Sequence, residues 1–469
     1  MKRQSGILMP IFSLPGKYGI GCFSREAYRF VDFLKSSGQK LWQILPIGPT
    51  SYGDSPYQSF STFAGNPYFI DLEELTAQGL LTEDECNSAD LGRRKDDIDY
   101  GLLFENRYKL LKKAYERAKD KPGDPDFYKK NEDWLPDYAL FMALKDAHKG
   151  AAFTTWEDEL RLREPDALKK AREKYADEIG FYVYLQEEFY RQWSKLKQYA
   201  NEKGIRIIGD IPIYVSGDSS DVWANPELFW LDDNGIPVSV AGCPPDGFSA
   251  TGQLWGNPLY AWEYHKKTGY KWWIRRMEAC RNLYDIVRID HFRGFDQYYS
   301  IPYGEKTAVN GEWLDGPGIE LFDAIKKELG HIEVIAEDLG YLTDSVRKLV
   351  KDTGYPGMKV LEFAFDGRDQ KDSDEATNDY LPFNYDKNCV VYTGTHDNET
   401  LKGWLDHIQP SELRQVKDYL NDKTREKNAL VDGMVRLAMA SSANMCVIPL
   451  QDYLRLDNEA RINMPSTVG

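Results

Sequence analysis

Three acidic residues close separate apolar runs of this chain. Asp290 follows Ile286-Val287-Arg288-Ile289, Glu337 follows Val334-Ile335-Ala336, and Asp397 follows Cys389-Val390-Val391-Tyr392 across Thr393-Gly394-Thr395-His396. Short runs rich in β-branched residues read as buried strands. Further runs of this kind are Leu41–Leu45, Ile205–Asp210, Lys359–Phe363 and Met445–Ile448, with helix-like stretches between them such as Ile319–Leu329 and Thr343–Lys351, the latter opening on Thr343 as N-cap. Strand–helix alternation predicts a parallel sheet. With an eighth strand placed at Tyr68-Phe69-Ile70, the count suits an α/β fold of the (β/α)₈ TIM barrel type. In such a barrel all strands end at one mouth, so acidic residues at strand ends gather there.

The 469 residues show no repeats and no Pro- or Ser-rich linker, which predicts a single elaborated barrel domain over 1–469. Two stretches break the alternation. Residues 75–180 are highly charged and helical in pattern, an insertion that either caps the barrel or walls a cleft. Residues 216–270 are rich in Gly, Pro, Asn and Trp, a loop-rich insertion expected to cover the active-site cleft.

A net charge of −16 argues against a nucleic-acid partner and for a neutral or cationic one. No apolar run is long enough for a membrane span, and no signal peptide is visible. The six cysteines form no CxxC pair and read as reduced core thiols, which predicts a cytoplasmic protein. Aromatics make up 13% of the chain, including 30 Tyr and 12 Trp. Most serve the core, but the excess also suits stacking on sugar rings.

On a strand, Arg288 and Asp290 face the same way, so the guanidinium sits beside the carboxylate and holds it ionised, as a nucleophile requires. Glu337, in an apolar setting near another carboxylate, is expected to hold its proton and act as an acid. Asp397, flanked by His396 and Asn398, suits hydrogen bonding to sugar hydroxyls; His396, Asp397 and Glu337 could instead serve a metal-dependent hydrolase. A structural ion pair or an exposed strand end explains each residue taken singly. Together, on separate strands of one barrel, they suit retaining glycosidic chemistry, whose carboxyl separation residues on adjacent strands about 4.8 Å apart can meet.

The order Asp210, Arg288-x-Asp290-His291, Glu337, His396-Asp397 resembles the strand-end regions of the α-amylase clan. Ser5-Gly6-Ile7-Leu8, Tyr18-Gly19-Ile20-Gly21, Trp42-Gln43-x-Leu45-Pro46, Ser55-Pro56-Tyr57-Gln58, Gly209–Val215, Pro244-Pro245-Asp246, Gly252-Gln253-x-Trp255-Gly256-Asn257-Pro258 and Ala336–Gly340 are similar to one branch, the amylomaltases (4-α-glucanotransferases, or disproportionating enzymes). The resemblance implies a nucleophile at Asp290, a general acid/base at Glu337 and a third carboxylate at Asp397 that binds ring hydroxyls. It implies a stacking platform at Tyr57, subsite residues Arg288 and His396, a cleft-covering loop carrying Gln253, Trp255 and Asn257, and a donor-sugar contact at Asn463. Asp210, Asp246, His291 and Asp338 stand in the matched motifs and are substrate-binding residues by the same resemblance.

The implied partners are a malto-oligosaccharide or α-1,4-glucan donor and acceptor, with glucose as acceptor or product, and the chemistry needs no cofactor or metal. Alternatives with the same residues are an α-amylase-type hydrolase and a non-catalytic glucan-binding barrel. The chain departs from the family pattern at Gly247, where an aromatic residue is common, and at Asn463-Met464-Pro465-Ser466-Thr467, where Gly usually follows Pro. A Trp-containing segment is expected beyond Gly469.

Overall fold

The computed structural model describes residues 3–51, 53–92, 97–121, 123–245, 249–340, 342–365, 378–424 and 426–464. Its strands are β1 (Gln4–Leu8), β2 (Leu41–Gln43), β3 (Arg206–Pro212), β4 (Ser239–Cys243), β5 (Gln253–Pro258), β6 (Ile286–Asp290), β7 (Gln297–Pro302), β8 (Glu312–Asp315), β9 (Val334–Ala336), β10 (Gly357–Val360), β11 (Cys389–Tyr392) and β12 (Met445–Pro449). Eight of them close a barrel in the order β1-β12-β11-β10-β9-β6-β3-β2, every pairing parallel.

The eighth barrel strand is β1, not Tyr68–Ile70. Pro67–Phe69 forms a single 3₁₀ turn, because the Asn66 side chain accepts the Tyr68 amide and Pro67 sets the first φ. That segment is fully buried, which is why its composition imitates a strand. β1 pairs with both β12 and β2 and so closes the barrel. Gly6 is required there, since a Cβ would lie 2.4 Å from Leu41 Cβ. The predicted strand over Lys359–Phe363 is also shorter: β10 stops at Val360, and Leu361–Ala364 turns as a 3₁₀ helix.

Period-two alternation sorts the side chains of each strand. Leu8, Leu41, Ile208, Ile286, Ile335, Met358, Val390, Tyr392, Met445 and Val447 form one cluster that fills the barrel interior. Their neighbours Ile7, Trp42, Ile207, Val287, Val334 and Ala336 belong instead to the large core that includes the surrounding helices. Two residues on from the interior set come Asp210, Arg288 and Glu337, and two on from Arg288 comes Asp290. The strand parity that packs the floor therefore aims polar side chains into the mouth.

Helices Arg25–Ser36, Lys271–Leu283, Ile319–Leu329, Asp344–Thr353 and Lys427–Ala440 lie between successive barrel strands. Thr343 caps Asp344–Thr353 by accepting from the Val346 amide. Between β2 and β3 the chain runs through helices from Leu72 to Glu202, the longest being Ala176–Glu202. The 216–270 region is more ordered than a loop reading implies. It carries β4 and β5, which join β7 and β8 in an antiparallel sheet of order β5-β4-β7-β8. No helix among the described residues is long and apolar enough to cross a membrane. None of the six cysteines forms a disulfide with another described residue.

Candidate active site

Arg288 organises the floor of the mouth. Its Nη1 donates to both oxygens of Asp210, at 2.7 and 2.8 Å, and its Nη2 donates to Asp290 Oδ1 at 2.8 Å. The Arg288 and Asp210 side chains are only 3% and 0% exposed, whereas that of Asp290 is 33% exposed. The register explains the bridge: Asp210 lies opposite Arg288 on the neighbouring strand, and Asp290 follows two residues on. Burial pushes the Asp210 carboxyl up, and the Arg288 charge pulls against it. The second oxygen of Asp290 takes no hydrogen bond from the described residues.

Glu337 follows β9, which pairs with β6 so that Ile289 lies opposite Ala336. Asp290 and Glu337 are thus the next positions of two neighbouring strands, about 4.8 Å apart at the backbone. Glu337 Oε2 accepts the amide of His291, the residue after Asp290, at 2.7 Å, and Oε1 accepts the Leu339 amide at 2.9 Å. Burial, reinforced by the Asp290 charge, raises its pKa to about 7 despite Arg288. His291 has φ 55°, a left-handed conformation that turns the chain as β6 ends. Burial pushes its pKa down to about 4, leaving the ring neutral. Trp255 packs edge-on against it at 4.8 Å.

Tyr57 and His396 connect the third acid to this pair. The Tyr57 hydroxyl lies 2.7 Å from Asp210 Oδ2 and 2.6 Å from His396 Nε2, and the two rings stack at 5.6 Å. A phenol has one proton, and the acceptor-only Asp210 takes it. His396 Nε2 must therefore be the protonated nitrogen, donating to Tyr57 and to Asp397 Oδ2 at 3.1 Å. His396 Nδ1 has no partner among the described residues. Burial disfavours charge on His396, but Asp397 outweighs it and raises the pKa. Partial burial also opposes charge on Asp397; the His396 ring, Asn463 and Arg288 overcome this and hold its carboxyl far below the usual carboxylate range. Asn463 Nδ2 donates to Asp397 Oδ1 at 2.7 Å, and the Asp397 side chain is 50% exposed.

The remaining residues singled out from the sequence differ in how they are engaged. Asp338 turns away from the mouth: its Oδ1 accepts the Met358 amide of β10 at 2.7 Å. Asn257 is committed to the frame, donating to Val215 O at 2.7 Å and accepting from Gln58 at 3.3 Å. Gln253 is exposed and accepts from Trp255 Nε1 at 3.0 Å. Asp246 lies outside the described residues, as does Gly247.

Other contributors escaped the sequence reading. Met358 Sδ receives the Arg288 Nε–H at 3.3 Å, and Tyr214 packs on both Trp255 and His291. Arg461 donates to Asp397 O at 2.9 Å. Tyr214 stood inside a recognised motif and Arg461 two residues from Asn463, which were the available signals. Among the described residues no group of three or more His, Cys, Asp or Glu side chains is arranged to hold a metal.

Such a mouth offers two carboxyls on adjacent strands, one of them inclined to keep a proton, beside a third held ionised by an imidazole. Comparison with known proteins agrees with sugar chemistry. The sequence model of the 4-alpha-glucanotransferase family matches residues 9–469. The Clostridium butyricum 4-alpha-glucanotransferase is 50% identical over 98% of this chain and 94% of its own. That of Thermus thermophilus is 47% identical over 99% and 93%. The amylomaltase from Streptococcus agalactiae, solved in complex with acarbose, superposes with a TM-score of 0.95 at 43% identity, covering all of this chain and 94% of its own.

Proposed function

The chain belongs to the 4-alpha-glucanotransferase family, and from that premise we propose how its rim carboxylates divide the work of moving an α-1,4-glucan segment between malto-oligosaccharides. Asp290 attacks the anomeric carbon of the donor while Glu337 protonates the departing sugar. Glu337 then takes the proton from the 4-hydroxyl of an acceptor, which attacks the covalent intermediate. Two inversions give retention. Asp397, held ionised by His396, binds ring hydroxyls and stabilises the positive charge that develops at the anomeric carbon.

The observation that carries this division is the hydrogen bond from the His291 amide to Glu337, together with the raised pKa of Glu337. It fixes the acid beside the nucleophile's strand end, and burial keeps its protonated form well populated at neutral pH. Arg288 holds Asp290 through one oxygen, leaving the other for attack. Tyr57 has its hydroxyl tied to Asp210 and so offers its ring face as a sugar platform. Asn463 reaches the donor sugar beside Asp397, and the 216–270 region, with Gln253 and Trp255, covers the cleft and excludes water. Exclusion of water favours transfer over hydrolysis. Acarbose, bound by the Streptococcus agalactiae relative, is expected to compete at this cleft. Cysteines not joined in disulfides fit a cytoplasmic setting.

Incubation with maltotriose alone tests the reading. Transfer yields glucose together with longer glucans; glucose and maltose without elongation would identify a hydrolase. Asp290→Asn is expected to abolish both while leaving the thermal midpoint close to that of the parent, and normal transfer by that variant would overturn the assignment.

A further inference from the structure

The loop that presents His396 and Asp397 leaves β11 at Thr393 and ends where helix Leu401–His407 begins. One buried carboxylate holds both of its ends. Asp452, 2% exposed in the helical turn after β12, accepts the Thr393 hydroxyl on Oδ2 at 2.6 Å and the Leu401 amide on Oδ1 at 2.8 Å. Six residues on, Asn458 Oδ1 accepts the Thr400 amide at 3.1 Å, and its Nδ2 donates to Glu399 at 2.7 Å. Gly403 makes room for this contact, since a Cβ there would lie 2.2 Å from Asn458 Oδ1. Between the two anchors, Asn398 Oδ1 accepts the Thr395 amide and hydroxyl, so the loop has its own internal brace.

We infer that Asp452 is a positioning residue for the reaction, assisted by Asn458: by fixing both ends of the 393–401 loop it sets where His396 and Asp397 stand over the sugar ring. The inference rests on the reading of Asp397 as the third carboxylate. Asp452 touches neither Asp397 nor the cleft, so its effect travels only through the loop backbone. The charge that Asp397 stabilises develops only in the transition state, so backbone displacement of its carboxylate lowers kcat more than it weakens the ground-state contact with ring hydroxyls.

The test compares Asp452→Leu, which fills the space without hydrogen bonding, with Asp452→Asn, which can still accept from Leu401 and reach Thr393. Transfer from maltotriose is measured well below each thermal midpoint and normalised to the folded fraction. Asp452→Leu is expected to lose about 100-fold in kcat with KM within about twofold, and Asp452→Asn to regain most of it. Asn458→Ala, expected to lose about tenfold, decides the matter if Asp452→Leu does not fold. Asp432→Ala, which breaks an exposed ion pair with Arg455 on the same C-terminal segment, serves as the control and is expected to keep parental kcat.

A folded Asp452→Leu, or in its place Asn458→Ala, with parental kcat would overturn the inference, as would equal losses in Asp452→Leu and Asp452→Asn. Asp397→Ala, assayed alongside, separates this failure from the deeper one. If it is inactive, only the positioning role has failed; if it turns over normally, the reading of Asp397 has failed first.

Discussion

Glu337 is the residue whose chemistry depends most on where it is buried. Exposed, it would be ionised at neutral pH and useless as an acid. Burial and the neighbouring Asp290 charge raise its pKa to about 7, so its protonated form is plentiful near neutrality. Because the pKa is raised, the acid form is present at low pH and lost as pH rises through that value. The kcat/KM for maltotriose is therefore expected to fall on an alkaline limb centred near pH 7, and a profile flat from about pH 6 to 9 would contradict the acid role. Strand parity made this site partly legible in the sequence: two-residue spacing correctly put Arg288 beside Asp290. The same rule could not show that Arg288 also bridges to Asp210, because that contact depends on which strand lies next to β6. Nor could it show that Asp338, adjacent to Glu337, bonds the backbone of β10.

At the scale of elements, the cleft is assembled by contacts between segments that are remote in sequence. Lys145, on helix Leu135–Ala147 between β2 and β3, is buried and donates to Gly150 O, Ala151 O and Asp218 Oδ2. Its ammonium lies 4.9 Å over the ring of Phe60, on the loop that carries Tyr57, and Asp218 also accepts the Phe153 amide. One cation thus ties the inserted helices to the segment after β3 and to the loop that carries Tyr57. Removing it strands the Asp218 charge, so Lys145→Met is expected to lower stability by about 3 kcal/mol, read from the denaturant midpoint. Lys145→Met with Asp218→Leu should recover part of that loss, and strictly additive losses would show that the pair does not act together. None of this is visible in the helical pattern of 75–180, which marks solvated faces but not the buried Lys145 among them. The antiparallel strands in 216–270 were hidden for a related reason. β5 is largely exposed and contains Gly256 with φ 77°, so it carries no apolar run.

Across the whole molecule, the barrel is closed by β1 against β12, from opposite ends of the chain. Local patterning marks strands but not which of them meet, and β1, with only Ile7 and Leu8 apolar among its five residues, looks less like a strand than the buried turn at Tyr68 does. The acidic residues at strand ends were the better guide, since they report where strands finish irrespective of pairing. Net charge acts at the same scale. At −16 the molecule repels anions at long range, whereas a glucan carries no charge to be steered. Salt shortens that range from about 10 Å at 0.1 M to about 3 Å at 1 M. The kcat/KM for maltotriose is accordingly expected to change less than about twofold between about 0.05 and 0.5 M NaCl. A sugar phosphate offered as acceptor should improve as salt rises, because screening relieves its repulsion. If the neutral substrate instead showed a steep dependence in either direction, encounter would be governed by charge, and the partner implied by this surface would have to be ionic.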